Sequence, residues 1–350
     1  MIAITKSFKY LTPFVLYILA LIAFKGNGIV CWYPLLYTFF IIPFMELFIK
    51  ADPTNLDEVE EAMAKKNKAY DFVLYAAVVL QYYSLWIFFH AVQIGSISNW
   101  DLAGKIASMG LLCAAFGINV AHELGHRVNK FEQLLSKLLL LTSTYMHFFI
   151  EHNKGHHKHV ATKADPSTAK YNQSVYAFWP QTLIGTYVSA WKIANEEVEK
   201  KGKFWFSLQN EMLQFQLIQL AFVIAIYLLF GFSVTIFFLI AALMGGLLLE
   251  TVNYIEHYGL TREATGDNQY ERVQPHHSWN SNHIIGRLML FELSRHSDHH
   301  YLASRKYQIL RSYEKAPQMP TGYPGMILLS LIPPIWFKVM NKQMKKYQLK

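Results

Sequence analysis

Nine of the fifteen histidines in this chain fall into four tight groups: His122 and His126; His152, His156 and His157; His257; and His296, His299 and His300. Imidazole is neutral near pH 7. It can offer one ring nitrogen to a metal while the other is anchored by a nearby acceptor, and it suits iron, copper, nickel and zinc. A set of this size can hold two metal ions. His-Glu-Leu-Gly-His at 122–126 puts two imidazoles four residues apart, so both project from one helical face. Taken alone, that pentapeptide also spells a zinc metalloprotease signature with Glu123 as general base, a reading that uses only two of the histidines. Glu-His-Asn-Lys-Gly-His-His at 151–157 and Arg-His-Ser-Asp-His-His at 295–300 supply three each, the second at helical offsets of three and four.

Carboxylates stand beside these groups. Glu123, Glu151, Asp165, Glu256 and Asp298 are expected to accept the second N–H of ligating imidazoles, and a bridging role for one of them stays open. His147, His159, His276, His277 and His283 also flank the boxes, where they could donate hydrogen bonds to ligands, line an entrance or serve structure. His90 reads as packed or interfacial.

A chain of 350 residues, 53% hydrophobic and only 16% charged, is not an ordinary soluble protein. Apolar runs at 10–24, 29–49, 70–92, 102–121, 212–230 and 232–254 are each long enough to cross about 30 Å of hydrocarbon, which takes roughly 20 helical residues. The fold class expected is therefore all-α, a polytopic membrane protein of six helices with a histidine-rich cytoplasmic portion. As one integral-membrane unit it would divide into helices one to four (1–127), a cytoplasmic portion with the second histidine box (128–211), helices five and six (212–258) and a last cytoplasmic portion (259–350). The first run has no small-residue cleavage pattern before the second, so it reads as a retained anchor rather than a removed signal peptide. Cys31 and Cys113, both inside apolar runs, give no disulfide framework, zinc ribbon or iron–sulfur site.

The net charge of +8 is lopsided. Lys65, Lys66 and Lys68, the segment 192–203 and the tail 342–350 hold much of it, and the alternate loops hold almost none, which places both termini in the cytoplasm. With that orientation the fourth and sixth helices descend and deliver His122, His126 and His257 to the cytoplasmic face. Leu134–Ile150 must then be a buried or re-entrant helix, because a full crossing would carry His152 to the wrong side. The stretch 326–339, broken by Pro333 and Pro334, is expected to lie along the interface or on the cytoplasmic portion. Trp32, Tyr37, Phe39, Phe40, Tyr82 and Tyr83 could line a channel from the bilayer. Gly245 and Gly246 permit close helix approach or leave room for a hydrocarbon, and Glu46 and Glu250 lie near helix ends.

The three histidine boxes together resemble those of the membrane-bound fatty acid desaturase and hydroxylase superfamily of non-haem di-iron oxygenases. Asn-Tyr-Ile-Glu-His-Tyr-Gly-Leu at 253–260, His-His-Ser-Trp-Asn-Ser at 276–281, Leu-Ser-Arg-His-Ser-Asp-His-His at 293–300 and Pro-Thr-Gly-Tyr-Pro-Gly at 320–325 are similar to the integral-membrane alkane 1-monooxygenases, over most of the chain after about residue 43. The resemblance implies two non-haem iron ions held by the nine clustered histidines, terminal hydroxylation of n-alkanes with O2, and electrons from rubredoxin and its reductase at a bacterial inner membrane. Ser294 and Arg127 depart from the usual residues, at positions that are not ligands. Redox-active metal is what O2 activation against a strong C–H bond requires, whereas zinc cannot change oxidation state. The chain carries no dinucleotide fingerprint and no sign of a flavin or haem domain, so its electrons must come from outside; its basic surface could steer an acidic redox partner, or could simply reflect positive-inside bias. No nucleic acid is expected as a partner. An acyl desaturase, a hydroxylase of aromatic methyl groups, an intramembrane zinc protease and a metal-binding transporter remain the alternatives.

Overall fold

The computed structural model describes residues 6–93, 95, 97–267 and 269–347; positions 348–350 of the basic tail lie outside them. Six helices are long and apolar enough to cross a membrane: α1 (Phe8–Lys25), α2 (Gly28–Glu46), α4 (Ala69–Gln93), α5 (Asn99–Gly125), α9 (Glu211–Phe230) and α10 (Phe232–His257), one for each apolar run. Between α2 and α4 lies α3 (Glu58–Lys66), opened by a reciprocal capping box between Asp57 and Glu60. Side-chain caps also start α5 at Ser98 and α9 at Asn210. Among the described residues the only strands are a two-stranded antiparallel ribbon, β1 (Ala264–Gly266) and β2 (Gln269–Tyr270).

The stretch Leu134–Ile150 does not span. It begins in α6 (Lys130–Leu141), capped by Asn129, and the chain then turns through Thr144, whose φ of 48° no continuing helix could accept. It resumes as α7 (148–159), which holds the second histidine box. α8 (Val175–Glu199) follows, capped by Ser174. α9 and α10 are joined through the single residue Gly231 at φ 87°, a conformation that suits glycine and makes the hairpin abrupt. After α10 come α11 (Ile284–Met289), α12 (His296–Tyr301), α13 (Tyr323–Ser330) and α14 (Pro333–Lys346). α13 and α14 take up the stretch 326–339; Trp336 of α14 is buried against Tyr254 of α10 and Tyr258 just beyond it.

α5 is the central helix, 78% buried over its apolar window, against 17% for α2 and 11% for α9. Close approach makes that possible. A Cβ on Gly245 of α10 would stand 2.6 Å from Cβ of Cys113 on α5, so Gly245 serves helix contact, while Gly246 faces the ring of Tyr145 at 3.2 Å. Three helices contain a π turn: α2 at Tyr37–Ile41, α5 at Cys113–Ile118 and α7 at His152–His156. In α2 the cause lies in the sequence, since Pro43 has no N–H to donate back along the helix. In α5 the hydroxyl of Ser143 donates to the carbonyl of Cys113 at 3.2 Å, satisfying an acceptor at the start of the widened turn.

Overpacking the α5–α10 contact should separate the two helices, at a cost of about 1–3 kcal/mol. Gly245→Ala is expected to melt several degrees below the parent in detergent by scanning fluorimetry; an unchanged melting temperature would contradict this packing.

Candidate metal centre

α5 and α10 end at the same pole of the bundle, the first bringing His122 and His126 and the second His257. α7 and α12 pack there with the two remaining boxes. The nine imidazoles gather into two adjacent sets: His122, His126, His152, His157 and His299, and His156, His257, His296 and His300. Within each set the candidate ligand atoms lie within 4.8 Å of one another.

The split inside the second box follows from its π turn. A π turn brings residues five apart onto neighbouring positions, so His152 and His157 converge, Nε2 to Nε2 at 3.1 Å, while His156 turns to the other set. In the last box His296 and His300, four apart, face the four-histidine set and His299 the five-histidine set.

The Nε2 atoms of the five-histidine set form a closed ring: His122 to His126 3.3 Å, His126 to His152 3.2 Å, His152 to His157 3.1 Å, His157 to His299 3.0 Å and His299 to His122 2.9 Å. A nitrogen of neutral imidazole is either a donor or an acceptor. Five such atoms in a ring cannot alternate, so hydrogen bonding alone leaves at least one pair in conflict. A central cation accepting all five lone pairs removes the conflict, and nitrogen ligands about 2.1 Å from an ion sit about 3 Å from their neighbours at right angles. The donor set therefore fits a metal ion. In the four-histidine set His156 and His300 stand at 3.2 Å, as do His257 and His296.

Burial, reinforced by the neighbouring imidazoles, holds His152, His157, His296, His299 and His300 well below their ordinary pKa and pushes His126 down to about 3. These rings are thus neutral, as coordination requires. His156 is the exception: burial would lower it, but the Asp165 carboxylate, 3.0 Å from its Nδ1, leaves it above the ordinary value.

The five carboxylates behave differently from one another. Asp165 holds His156 and is itself held by the Thr168 hydroxyl at 2.6 Å. Glu256 places Oε2 3.2 Å from Nε2 of His296, the nitrogen that faces the four-histidine set, while Oε1 accepts the Tyr323 hydroxyl at 2.8 Å. Glu123 turns instead to Arg127 at 2.5 Å and the backbone N–H of Tyr307 at 3.3 Å, and Arg127 continues to Asp71, which also receives Lys306 at 2.9 Å. Asp298 is taken up by Arg305, by the Tyr313 hydroxyl and by the N–H of Arg311. Glu151 is buried against Gly155, and its Oε1 has no hydrogen-bond partner among the described residues.

The flanking histidines stay outside both sets. His277 accepts the N–H of Gln274 on Nδ1, which leaves Nε2–H to face Glu271 at 3.1 Å, and His276 meets its ring edge-on. His283 meets the Ser281 hydroxyl at 3.1 Å, His147 lies between Tyr145 and Tyr187, and His90 packs on Trp86 and Phe230. His159 lines a surface cleft. Glu46 accepts the N–H of Gly286, tying the end of α2 to α11, and Glu250 is buried among Tyr145, Thr182 and Asn253.

An apolar cavity of ≈ 70 Å³ lies between the bundle and this pole, walled by Leu16, Phe39, Ala115, Leu249 and Ile327 among others. The π turns of α2 and α5 both contribute to its wall, through Thr38 and Phe39 on one side and Ala114 and Ala115 on the other. Two lining residues neighbour the metal pole: Asn119, one helical turn before His122, whose amide donates to the carbonyl of Leu290 at 3.2 Å, and Tyr323, the partner of Glu256. Of the aromatics singled out in the sequence, Phe39 lines this cavity, while Phe40 and Tyr83 are exposed on the outside of the bundle.

Residues 98–330 match the fatty acid desaturase family. The chain is 40% identical to alkane 1-monooxygenase 2 of Alcanivorax borkumensis over 319 residues, covering 90% of this chain and 83% of that protein. It is 39% identical to alkane 1-monooxygenase 2 of Pseudomonas aeruginosa (90% and 84% covered) and 40% identical to alkane 1-monooxygenase 1 of the same organism (88% and 81% covered).

If the two sets hold one ion each, His157→Ala and His300→Ala should each roughly halve the metal per chain while the protein still inserts. Asp165→Asn should keep both ions but release them about 10- to 100-fold more readily to a chelator. Elemental analysis after size-exclusion and chelator competition checks this; full metal retention in either alanine variant would remove that histidine from the ligand set.

Proposed function

The chain belongs to the fatty acid desaturase family, and from that membership we propose that it is an alkane 1-monooxygenase, converting n-alkanes to 1-alkanols with O2 and electrons from rubredoxin, which rubredoxin reductase replenishes. The observation that carries this reading is the pair of convergent, buried imidazole sets, beside which an apolar cavity is linked through Tyr323 and Glu256 to His296. We assign His122, His126, His152, His157 and His299 to one iron, and His156, His257, His296 and His300 to the other. When bound, the two irons supply the redox chemistry that activates O2 against a strong C–H bond.

The chain's own residues do the rest. Leu16, Phe39, Leu249 and Ile327 exclude water from an apolar space of ≈ 70 Å³, room for the terminal few carbons of the hydrocarbon beside Asn119 and Tyr323. Asp165 and Glu256 orient His156 and His296, and Glu256 is the carboxylate best placed to approach the second iron. The overall balance is RH + O2 + 2 e⁻ + 2 H⁺ → ROH + H2O. We further propose that the protein sits in a bacterial cytoplasmic membrane with both termini and the metal pole facing the cytoplasm, where its lysines concentrate. The zinc protease alternative is disfavoured because Glu123, its required base, is committed to Arg127.

Purified protein given rubredoxin, reductase, an n-alkane series and isotopically labelled O2 should yield labelled 1-alkanols. Alkene products, ring-methyl oxidation in preference to alkane oxidation, or zinc at one per chain would overturn the reading. Ala115→Phe, which fills the cavity, should lower kcat/KM for the alkane by about tenfold or more with metal content unchanged; equal turnover would show that the substrate does not pass there.

A further inference from the structure

A cleft of ≈ 1250 Å³ runs between α7, the 162–171 segment, α8 and the residues following α10. Six exposed lysines line it: Lys154, Lys158, Lys163, Lys170, Lys192 and Lys200. Lys154 pairs with Glu197 at 2.7 Å, and none of the other five forms an ion pair among the described residues. Glu196 and Glu197 also line the cleft, so with six lysines against those two carboxylates its rim keeps a surplus of positive charge. Its floor is different. There Asp165, 4% exposed, meets Nδ1 of His156 at 3.0 Å, and His156 carries its Nε2 into the four-histidine set. A path of covalent bonds and one hydrogen bond therefore joins the cleft floor to the metal centre. The second recess of that pole, bounded by Lys6, Lys9, Arg287 and Arg295, lacks this character, because Asp52, Glu60 and Glu292 line it too and Glu292 already takes Arg287 at 2.7 Å.

We propose that the lysine-lined cleft is the docking site of the electron donor, a small acidic one-electron carrier protein, and that electrons enter through the Asp165–His156 contact. This rests on the donor-dependent oxygenase reading above. In each encounter the reduced carrier loses one electron and the metal centre gains one, so two carriers are oxidised for each alcohol formed. The dispersal of six lysines over three segments favours a protein surface over a lipid headgroup, whose single phosphate would need convergent donors. Charge of this kind raises the association rate and makes it fall with salt.

The test is stopped-flow oxidation of reduced rubredoxin by the full-length, metal-loaded protein in phosphatidylcholine nanodiscs. With the parent, the second-order rate should fall as ionic strength rises. The double variant Lys158→Glu/Lys192→Glu should react at least about tenfold more slowly, with a flattened or inverted salt dependence. The same variant should keep parental metal content and parental alcohol yield when a small chemical reductant replaces the protein donor, which separates lost docking from misfolding. Lys342→Glu/Lys345→Glu, on α14 and not among the residues lining the cleft, should react as the parent does. The assignment is overturned if the cleft variant oxidises rubredoxin at the parental rate, if only the α14 variant slows, or if the cleft variant loses co-purifying anionic lipid without losing donor rate. A parent that makes labelled alcohol with a chemical reductant yet never oxidises rubredoxin would instead defeat the donor reading and leave the oxygenase reading standing.

Discussion

Neutral imidazole lone pairs aimed at one another from about 3 Å are the constraint on which this structure turns. Nine rings are brought to one pole of a membrane bundle, and one set closes into an odd-membered ring that hydrogen bonding between neutral imidazoles cannot satisfy. Burial removes the other way out, protonation, because a charged imidazolium in that environment would cost several kcal/mol. For the five-histidine set the arrangement that satisfies every ring is a central cation, and the four-histidine set beside it offers a second cluster able to hold one. The fold around them is accordingly a device for holding ring nitrogens in place.

Much of that holding is done by buried charge away from the rings. Glu123, Arg127, Asp71 and Lys306 link α5, α4 and the segment after α12, so the first and last histidine boxes are braced against one another. Asp298, inside the last box, binds Arg305, Tyr313 and the N–H of Arg311, which fixes the exit from α12. Just before α12, Phe291 and Glu292 adopt φ of 51° and 60°, conformations costing roughly 1–2 kcal/mol each for residues other than glycine. Glu292 keeps this geometry through Arg287 at 2.7 Å and the Tyr10 hydroxyl at 2.9 Å. The strained turn aims His296, and the charged clamp sustains the turn.

The helices and the clustering of the nine histidines were legible in the sequence because each depends on local properties: apolar length for the spans, histidine density for the clusters. That Leu134–Ile150 must not cross was legible as well, from the need to keep His152 on the side of His126. The five-to-four division of the rings was not, since it depends on the π turn at His152–His156, and His-Asn-Lys-Gly-His carries no proline to announce one. Adjacency misled for Glu123 and Asp298, whose sequence neighbours suggested imidazole partners. The i,i+4 spacing of Glu123 and Arg127 was the available signal for the ion pair that forms instead. Tyr323 lies 67 residues from Glu256, and no local pattern could have joined them. The apolar cavity is likewise a product of packing among distant segments, visible only when α2, α5, α10 and α13 are assembled.

X-ray absorption at the metal K-edge of the purified protein tests most directly whether these rings surround metal. The expected spectrum is a nitrogen-dominated first shell near about 2.1 Å, with the outer scattering of four to five imidazoles per metal ion, matching the two sets of rings. A shell with only one or two imidazoles per ion would contradict the convergence on which the proposed centre depends.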